Sequence, residues 1–129
     1  MYIKILVVSL AIASLLVFPQ RLKADDPVIK VLTLDDRLEQ VFGDKAHLMK
    51  AIAMAESNLE ERQVSRNYRK DGTVWSVDCG VLQLNRKGTK CPPHLLTIEG
   101  NLIEAKKILD EQGLRAWVVW KRGYYKRYM

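Results

Sequence analysis

The segment HLMKAIAMAES, residues 47–57, constrains the fold of this chain more than any other segment. From His47 to Ala55 it is apolar on nearly every side, and Lys50 is its one charged residue. Such a run predicts a helix buried in the core of a domain. Glu56 stands in the last turn of that helix, where burial disfavours the charged carboxylate and raises its pKa. A carboxyl of this kind suits general acid catalysis near neutral pH, so Glu56 is the first candidate catalytic residue.

The N-terminus predicts export. Lys4 precedes the apolar run Ile5–Phe18, which is shorter than the roughly 20 residues of a membrane span. We therefore expect residues 1–24 to be a signal peptide cleaved after Ala24, with an uncleaved signal anchor as the alternative. Residues 25–129 are long enough for one domain, which we expect to work in the periplasm or outside the cell.

Charge gives weaker information about partners. Removing Lys4, Arg21 and Lys23 with the signal lowers the formal net charge from +6 to +3. Four of the remaining basic residues collect in KRGYYKRYM, residues 121–129. This cluster favours an anionic cell-wall polymer or membrane surface, and a solvated helix end explains it equally well. No segment resembles a nucleic-acid-binding module, so we expect no nucleic-acid partner.

Capping signals divide the chain into helices. Thr33 and Asp36 form a capping pair for a first helix, which Gly43 ends as a left-handed cap, and Asp44 starts the core helix. A second capping pair, Asn101 with Glu104, opens a helix that runs through Gln112. The last predicted helix spans Arg115–Lys121, and the predicted short strands are Val74–Val77 and Val81–Leu84. The pattern therefore predicts a mainly helical, compact domain with a small β-containing region after the core helix.

The residues that could carry chemistry are few. His47 and His94 have no partners at metal-ligand spacing, and Cys79 with Cys91 fits no standard zinc motif, so we expect no metal and no cofactor. The sequence has no phosphate-binding glycine loop and no G-x-S-x-G nucleophile motif. Two cysteines in an exported chain favour a disulfide, with two buried free thiols as the alternative. Carboxylates remain as the plausible catalysts, which points to glycosidic bond cleavage.

Four segments in order carry a more specific resemblance: AMAESNLEERQVSRN, DGTVWSVDCGVLQLN, NLIEAKKILDEQG and AWVVWKRGYY. From about Lys45 to Tyr125 the chain resembles a lytic transglycosylase SLT domain of the lysozyme-like superfamily. The resemblance implies a lysozyme-like α+β fold with Glu56 as the catalytic acid. It also implies glycan-binding or supporting roles for four further residues, which are Ser57, Gln83, Asn85 and Tyr124.

The activity implied by the resemblance is cleavage of the β-1,4 bond between N-acetylmuramic acid and N-acetylglucosamine, giving 1,6-anhydromuramic ends. The small size is similar to accessory transglycosylases of secretion, conjugation and phage machines, so a wall-spanning apparatus is a candidate partner. We expect a monomer. Trp75, Tyr124 and Tyr125 are aromatic candidates for a saccharide groove, with core packing as the alternative.

Two other functions remain open. A goose-type hydrolytic muramidase would need a second carboxylate to activate water, and Asp71 and Asp78 are the candidates. A non-catalytic wall-binding adaptor would keep the groove and would not need Glu56.

Overall fold

The computed structural model describes residues 30–129, within which Val31–Met129 form one compact unit. The predicted signal, residues 1–24, lies outside the described residues. The unit is mainly helical with a small antiparallel sheet. Its helices are α1 (Leu34–Phe42), α2 (Ala46–Ser57), α3 (Ile98–Gln112) and α4 (Val118–Lys121), and its strands are β1 (Val64–Tyr68), β2 (Val74–Cys79) and β3 (Leu84–Lys87). None of the helices in the described part of the chain has the length and apolar character needed to cross a membrane.

Helix α2 is the centre of the core, as its apolar sequence predicts. Met49 and Ile52 are fully buried, and helices α1 and α3, the sheet and the buried Trp117 complete the core around them. The capping box that introduces α1 is confirmed: Thr33 Oγ1 accepts from Asp36 N at 3.1 Å, and Asp36 Oδ2 accepts from Thr33 N at 2.8 Å. Glu56 lies in the last turn of α2, where the sequence predicts it.

The predicted start of α2 was wrong. Helix α1 ends before Gly43, whose φ is positive at 56° but whose ψ of −125° lies outside the left-handed helical region. Asp44 lies in the short 3-10 turn Gly43–Lys45, and α2 begins at Ala46 without a side-chain cap.

The predicted start of α3 was also wrong. Its N-cap is Thr97, whose hydroxyl accepts from Gly100 N at 3.1 Å. Asn101 is instead fully buried inside the helix, and Glu104 forms ion pairs with neighbouring side chains. The helix ends at Gln112 before Gly113, as predicted.

The predicted last helix is interrupted. A 3-10 turn covers Leu114–Ala116, Trp117 is extended, and α4 is only the four residues Val118–Lys121. The interruption allows the buried indole of Trp117 to donate a hydrogen bond to the Leu82 carbonyl at 3.1 Å. A further 3-10 turn, Tyr124–Tyr128, follows and packs on α2.

The sheet has the order β1-β2-β3 with antiparallel pairing throughout. The predicted strand Val74–Val77 is confirmed within β2, whereas the prediction of a strand over Val81–Leu84 was wrong. Residues 81–83 form a turn because Gly80 and Gln83 have positive φ values of 72° and 47°, which extended pairing does not allow. Strand β1 was missed, since its sequence VSRNY lacks an apolar alternation.

The turn at residues 79–83, here called the 79–83 turn, connects the sheet to both long helices. Asn101 on α3 donates to the carbonyl of Cys79 at 2.8 Å and accepts from Leu82 N at 3.0 Å. Ser57 on α2 donates to the carbonyl of Val81 at 2.7 Å. A disulfide joins Cys79 to Cys91, so the cysteines are bridged, as favoured from the sequence. The turn is therefore fixed from several sides.

Candidate active site

A cavity of about 600 Å³ opens beside the end of α2, between the sheet and the segment that follows α3. Of the predicted site residues, it brings together Glu56, Gln83 and Asn85. Its walls combine acidic, amide and aromatic side chains, a composition suited to binding a polar, ring-shaped ligand. The complete lining is Glu56, Asn67, Trp75, Asp78, Gln83, Leu84, Asn85, Arg86, Ile108, Gln112, Ala116, Trp117 and Val118.

Glu56 lines this cavity with a pKa well above the ordinary value of a glutamate carboxyl. Its pKa is raised to about 7, mainly by burial and in addition by the nearby charge of Asp78. A hydrogen bond from the backbone of Val119 lowers the pKa in part. Near neutral pH a substantial fraction of Glu56 is therefore protonated while facing a cavity, which is the state that a general acid requires.

Asp78 faces the same cavity from β2 and is held by two amide side chains. Its Oδ2 accepts from Asn67 Nδ2 at 2.9 Å, and its Oδ1 accepts from Asn85 Nδ2 at 2.7 Å. Both amides also donate to the hydroxyl of Ser76 at 3.1 Å. The strand register causes this arrangement, because Asn67 pairs with Ser76 and Asp78 pairs with Asn85 on one face of the sheet. Asp78 is thus fixed in orientation beside Glu56.

Asn85, a predicted glycan-binding residue, is exposed and uses its amide hydrogens on Ser76 and Asp78. Among the described residues, its side-chain oxygen has no hydrogen-bond donor. An amide held in this way presents an acceptor whose direction is already fixed, which suits a sugar hydroxyl.

Gln83 lines the cavity, but the protein itself occupies much of its amide. Its Nε2 donates to the carbonyls of Gln63 at 3.1 Å and Gly80 at 2.9 Å. Its Oε1 accepts from the Ser65 hydroxyl at 2.7 Å. Gln83 therefore ties the 79–83 turn to the start of β1, and a ligand can reach it only through the remaining lone pair of Oε1.

Ser57 and Tyr124 do not line the cavity. Ser57 is buried, and its hydroxyl donates to the Val81 carbonyl, so it fixes the 79–83 turn on α2. Tyr124 opens the 3-10 turn near the C-terminus with an exposed side chain. Its neighbour Tyr125 stacks on Trp120 with ring centroids 4.8 Å apart, which is a packing role. Trp75 is 45% exposed and does line the cavity.

Asp71 and Asp78, the two candidates for a second carboxylate, differ in their position relative to the cavity. Asp71 lies in the exposed turn of the β1–β2 hairpin, where its Oδ1 accepts from Thr73 N at 2.9 Å and from the Thr73 hydroxyl at 2.7 Å. These bonds lower the pKa of Asp71. Asp71 is not among the residues that line the cavity, whereas Asp78 is.

Asn67 and Arg86 were missed from the sequence. For Asn67 a signal existed, because a hairpin centred on Asp71-Gly72 would place it beside Ser76, two residues from Asp78 and on the same face of the strand. Arg86 had no such signal. Its guanidinium contacts Glu104, 18 residues away on α3, and that contact depends on the tertiary fold.

The described residues contain no group of three His, Cys, Asp or Glu side chains that could hold a metal ion. Comparison of this chain with protein-family models, with curated proteins and with solved structures found no match.

Proposed function

We propose that this protein is a peptidoglycan lytic transglycosylase with a lysozyme-like fold. The observation that carries the proposal is Glu56, an acid whose pKa is about 7, facing a cavity walled by amides and an exposed tryptophan. The four sequence segments that resemble an SLT domain supply the substrate class. The disulfide between Cys79 and Cys91 supports the exported location, because structural disulfides persist in oxidising compartments.

In the proposed reaction Glu56 first gives its proton to the glycosidic oxygen while the bond from that oxygen to C1 of the muramic sugar breaks. The Glu56 carboxylate then takes the proton of the C6 hydroxyl of the same sugar as O6 attacks C1. The acid is regenerated, water is not consumed, and the product carries a 1,6-anhydro ring. The attacking hydroxyl is part of the substrate, so its effective concentration is high without any second catalytic base.

The other cavity residues have binding roles in this proposal. Asn85 offers an oriented acceptor to a sugar hydroxyl, and the exposed face of Trp75 offers a surface for a sugar ring. Ser57 holds the 79–83 turn on α2, and Gln83 ties the same turn to the start of β1. Tyr124 could reach only a glycan that extends beyond the cavity.

One observation favours the hydrolytic muramidase as a second candidate. Asp78 lies near enough to Glu56 to affect its pKa and faces the same cavity. A muramidase requires such a second carboxylate, either to activate water or to stabilise the cationic transition state. The amides of Asn67 and Asn85 each donate to one oxygen of Asp78, which leaves further lone pairs for a water molecule.

The products distinguish the two reactions. We would digest purified peptidoglycan sacculi with the wild-type protein in water labelled with heavy oxygen, and analyse the released muropeptides by mass spectrometry. The transglycosylase gives 1,6-anhydromuramic ends, lighter by one water molecule and without label. Reducing ends that carry the label would instead establish hydrolysis and overturn the transglycosylase proposal.

Two variants complete this experiment. Glu56→Gln keeps the size of the side chain but cannot deliver a proton, so activity should fall by about 10²–10⁴-fold. Asp71→Asn should leave turnover near wild type, because Asp71 does not line the cavity. If Glu56→Gln retains full activity, the enzyme assignment fails. If wild-type protein binds sacculi and releases nothing, the wall-binding adaptor becomes the better description.

A further inference from the structure

Arg86 is the one cationic side chain among the residues that line the described cavity. It stands on β3 next to Asn85 and is partly buried, with 28% of its side chain exposed. The proposed mechanism does not use it. The contacts of Arg86 indicate what a cation can bind in the wall of a cavity that also contains two acids.

The guanidinium of Arg86 is fixed in place. Its Nη2 donates to Glu104 Oε1 at 2.8 Å, and its Nη1 donates to the Asn85 carbonyl at 2.7 Å. A guanidinium has five N–H donors, and the hydrogen bonds within the described part of the chain use two of them. The remaining three donors belong to a group whose orientation is already set, and a bound carboxylate would accept from such a fork without further ordering.

The charge around Arg86 is not balanced by Glu104 alone. The other oxygen of Glu104, Oε2, lies 3.4 Å from Lys107 Nζ, so one carboxylate is shared by two cations. The group of Arg86, Glu104 and Lys107 therefore carries a net charge of +1 at the cavity wall. Such a group attracts an anion, and Arg86 is the member of the group that lines the cavity and can contact an anion there.

We propose that Arg86 forms a subsite for a carboxylate carried by the glycan, and that Glu104 limits the strength of that subsite. This inference rests on the proposed function, since it specifies which feature of a muramic acid polymer the cavity recognises. Two carboxylates have the required chemistry: the lactyl carboxylate of muramic acid in a peptide-free strand, and a carboxylate of the stem peptide in a substituted strand. Neutral N-acetylglucosamine oligomers lack both.

The simpler explanation of the Arg86–Glu104 pair is that it stabilises the packing of β3 on α3. The two explanations predict different changes in glycan affinity when Arg86 or Glu104 is replaced. If the pair were only structural, removing either partner would change affinity for neutral and anionic glycans alike. If Arg86 binds a carboxylate while Glu104 competes for it, Arg86→Gln weakens and Glu104→Gln strengthens the binding of anionic glycans.

The test measures binding by calorimetry in the Glu56→Gln background, so that no ligand is cleaved. Three ligands are compared: a neutral N-acetylglucosamine oligomer, a peptide-free oligomer with free lactyl carboxylates, and an oligomer with stem peptides. Arg86→Gln should bind at least one of the anionic ligands about tenfold more weakly and leave the neutral ligand unchanged. Glu104→Gln should bind that anionic ligand more tightly. Lys87→Gln, which removes the neighbouring exposed charge of β3 outside the cavity, is the matched control.

The ligand that Arg86→Gln binds more weakly than wild type identifies the carboxylate. A loss for the peptide-free oligomer assigns the lactyl group, and a loss restricted to the peptide-bearing oligomer assigns the stem peptide. Unchanged ratios of anionic to neutral affinity in Arg86→Gln, or changes of equal sign in Arg86→Gln and Glu104→Gln, overturn the subsite while leaving the proposed function intact. If none of the three ligands binds, the proposed function fails and the subsite fails with it. Should Arg86→Gln not fold, Glu104→Gln alone decides the question through the direction of its effect.

Discussion

The side-chain amide of Asn101 occupies the space that a Cβ atom on Gly80 would need. A methyl group at Gly80 would collide with Asn101 Nδ2 and with the carbonyl of Leu95. The close approach allows Asn101 to donate to the carbonyls of both Cys79 and Leu95 at 2.8 Å. The glycine and the asparagine thus form one structural unit, which sets the path of the chain between Asp78 and Gln83.

We predict that Gly80→Ala destabilises the domain by roughly 2–4 kcal/mol, because it adds both a collision with buried groups and strain at a φ of 72°. Gly72→Ala is the matched control, since its φ of 83° carries similar strain and a Cβ there would meet nothing within 4 Å. It should cost only about 1 kcal/mol. Urea unfolding of both variants measures the difference, and equal losses would contradict the role of Asn101.

We predict that Glu56→Gln is more stable than wild type at high pH. Burial raises the pKa of Glu56 to about 7 in the folded state, whereas in the unfolded chain the pKa is about 4.3. As pH rises from about 4.3 to about 7, the wild-type protein therefore loses stability, because Glu56 ionises less readily in the folded state than in the unfolded chain. Glutamine does not ionise, so the variant does not lose this stability.

The expected gain is about 1–2 kcal/mol at pH 8, after solvent screening of this partly exposed group is allowed for, and close to zero at about pH 4. Urea unfolding at the two pH values gives the difference. Glu111→Gln, at an exposed position of α3, controls for the general effect of removing a negative charge. A gain that is the same at both pH values would show that burial does not perturb Glu56.

The pH dependence of activity should follow the same group. In the proposed mechanism Glu56 acts as an acid, so kcat/KM should fall as pH rises through about 7. Asp78→Asn removes a charge that raises the pKa of Glu56, so this fall should move to lower pH. The readouts are the pH profile and the NMR titration of the Glu56 carboxyl carbon. If the fall stays in place in Asp78→Asn, the charge of Asp78 does not act on Glu56.

The disulfide between Cys79 and Cys91 should stabilise the domain by about 2–3 kcal/mol, as expected for the short loop it closes. Urea unfolding with and without reductant measures this contribution in the wild-type protein. The double variant Cys79→Ala with Cys91→Ala should be insensitive to reductant. Alkylation of unfolded, non-reduced protein should label neither cysteine, and two labelled thiols would contradict the bridge in solution.

Features that depend on residues close together in the sequence could be predicted from the sequence. The buried helix α2 follows from its apolar run, and Glu56 follows from its place at the end of that run. The capping box at Thr33 and Asp36 is equally local. The start of α3 could not be decided in this way, because Thr97 and Asn101 are both good N-cap residues. The choice depends on buried hydrogen bonds that Asn101 makes with residues 79–95.

The parts that could not be predicted depend on contacts between distant segments. The positive φ of Gln83 is unusual for a residue with a side chain, and its amide bonds to Gln63 and Gly80 accompany it. The arrangement of the candidate site also depends on contacts between distant segments. Arg86 reaches Glu104 only through the packing of β3 near α3. Asn67 differs, because a hairpin centred on Asp71-Gly72 would have placed it beside Ser76.

The wall of the cavity has one side that tolerates little change and another that is free to vary. The 79–83 turn is bonded to α2, α3, Trp117 and Cys91, so an insertion there would disturb every one of them. The hairpin between β1 and β2 ends instead in exposed residues, and Gly72 has open space around it. A longer hairpin at Gly72 would extend the groove beyond Trp75 without moving Glu56. In the proposed function, the length of glycan that the protein binds can therefore be changed separately from the acid.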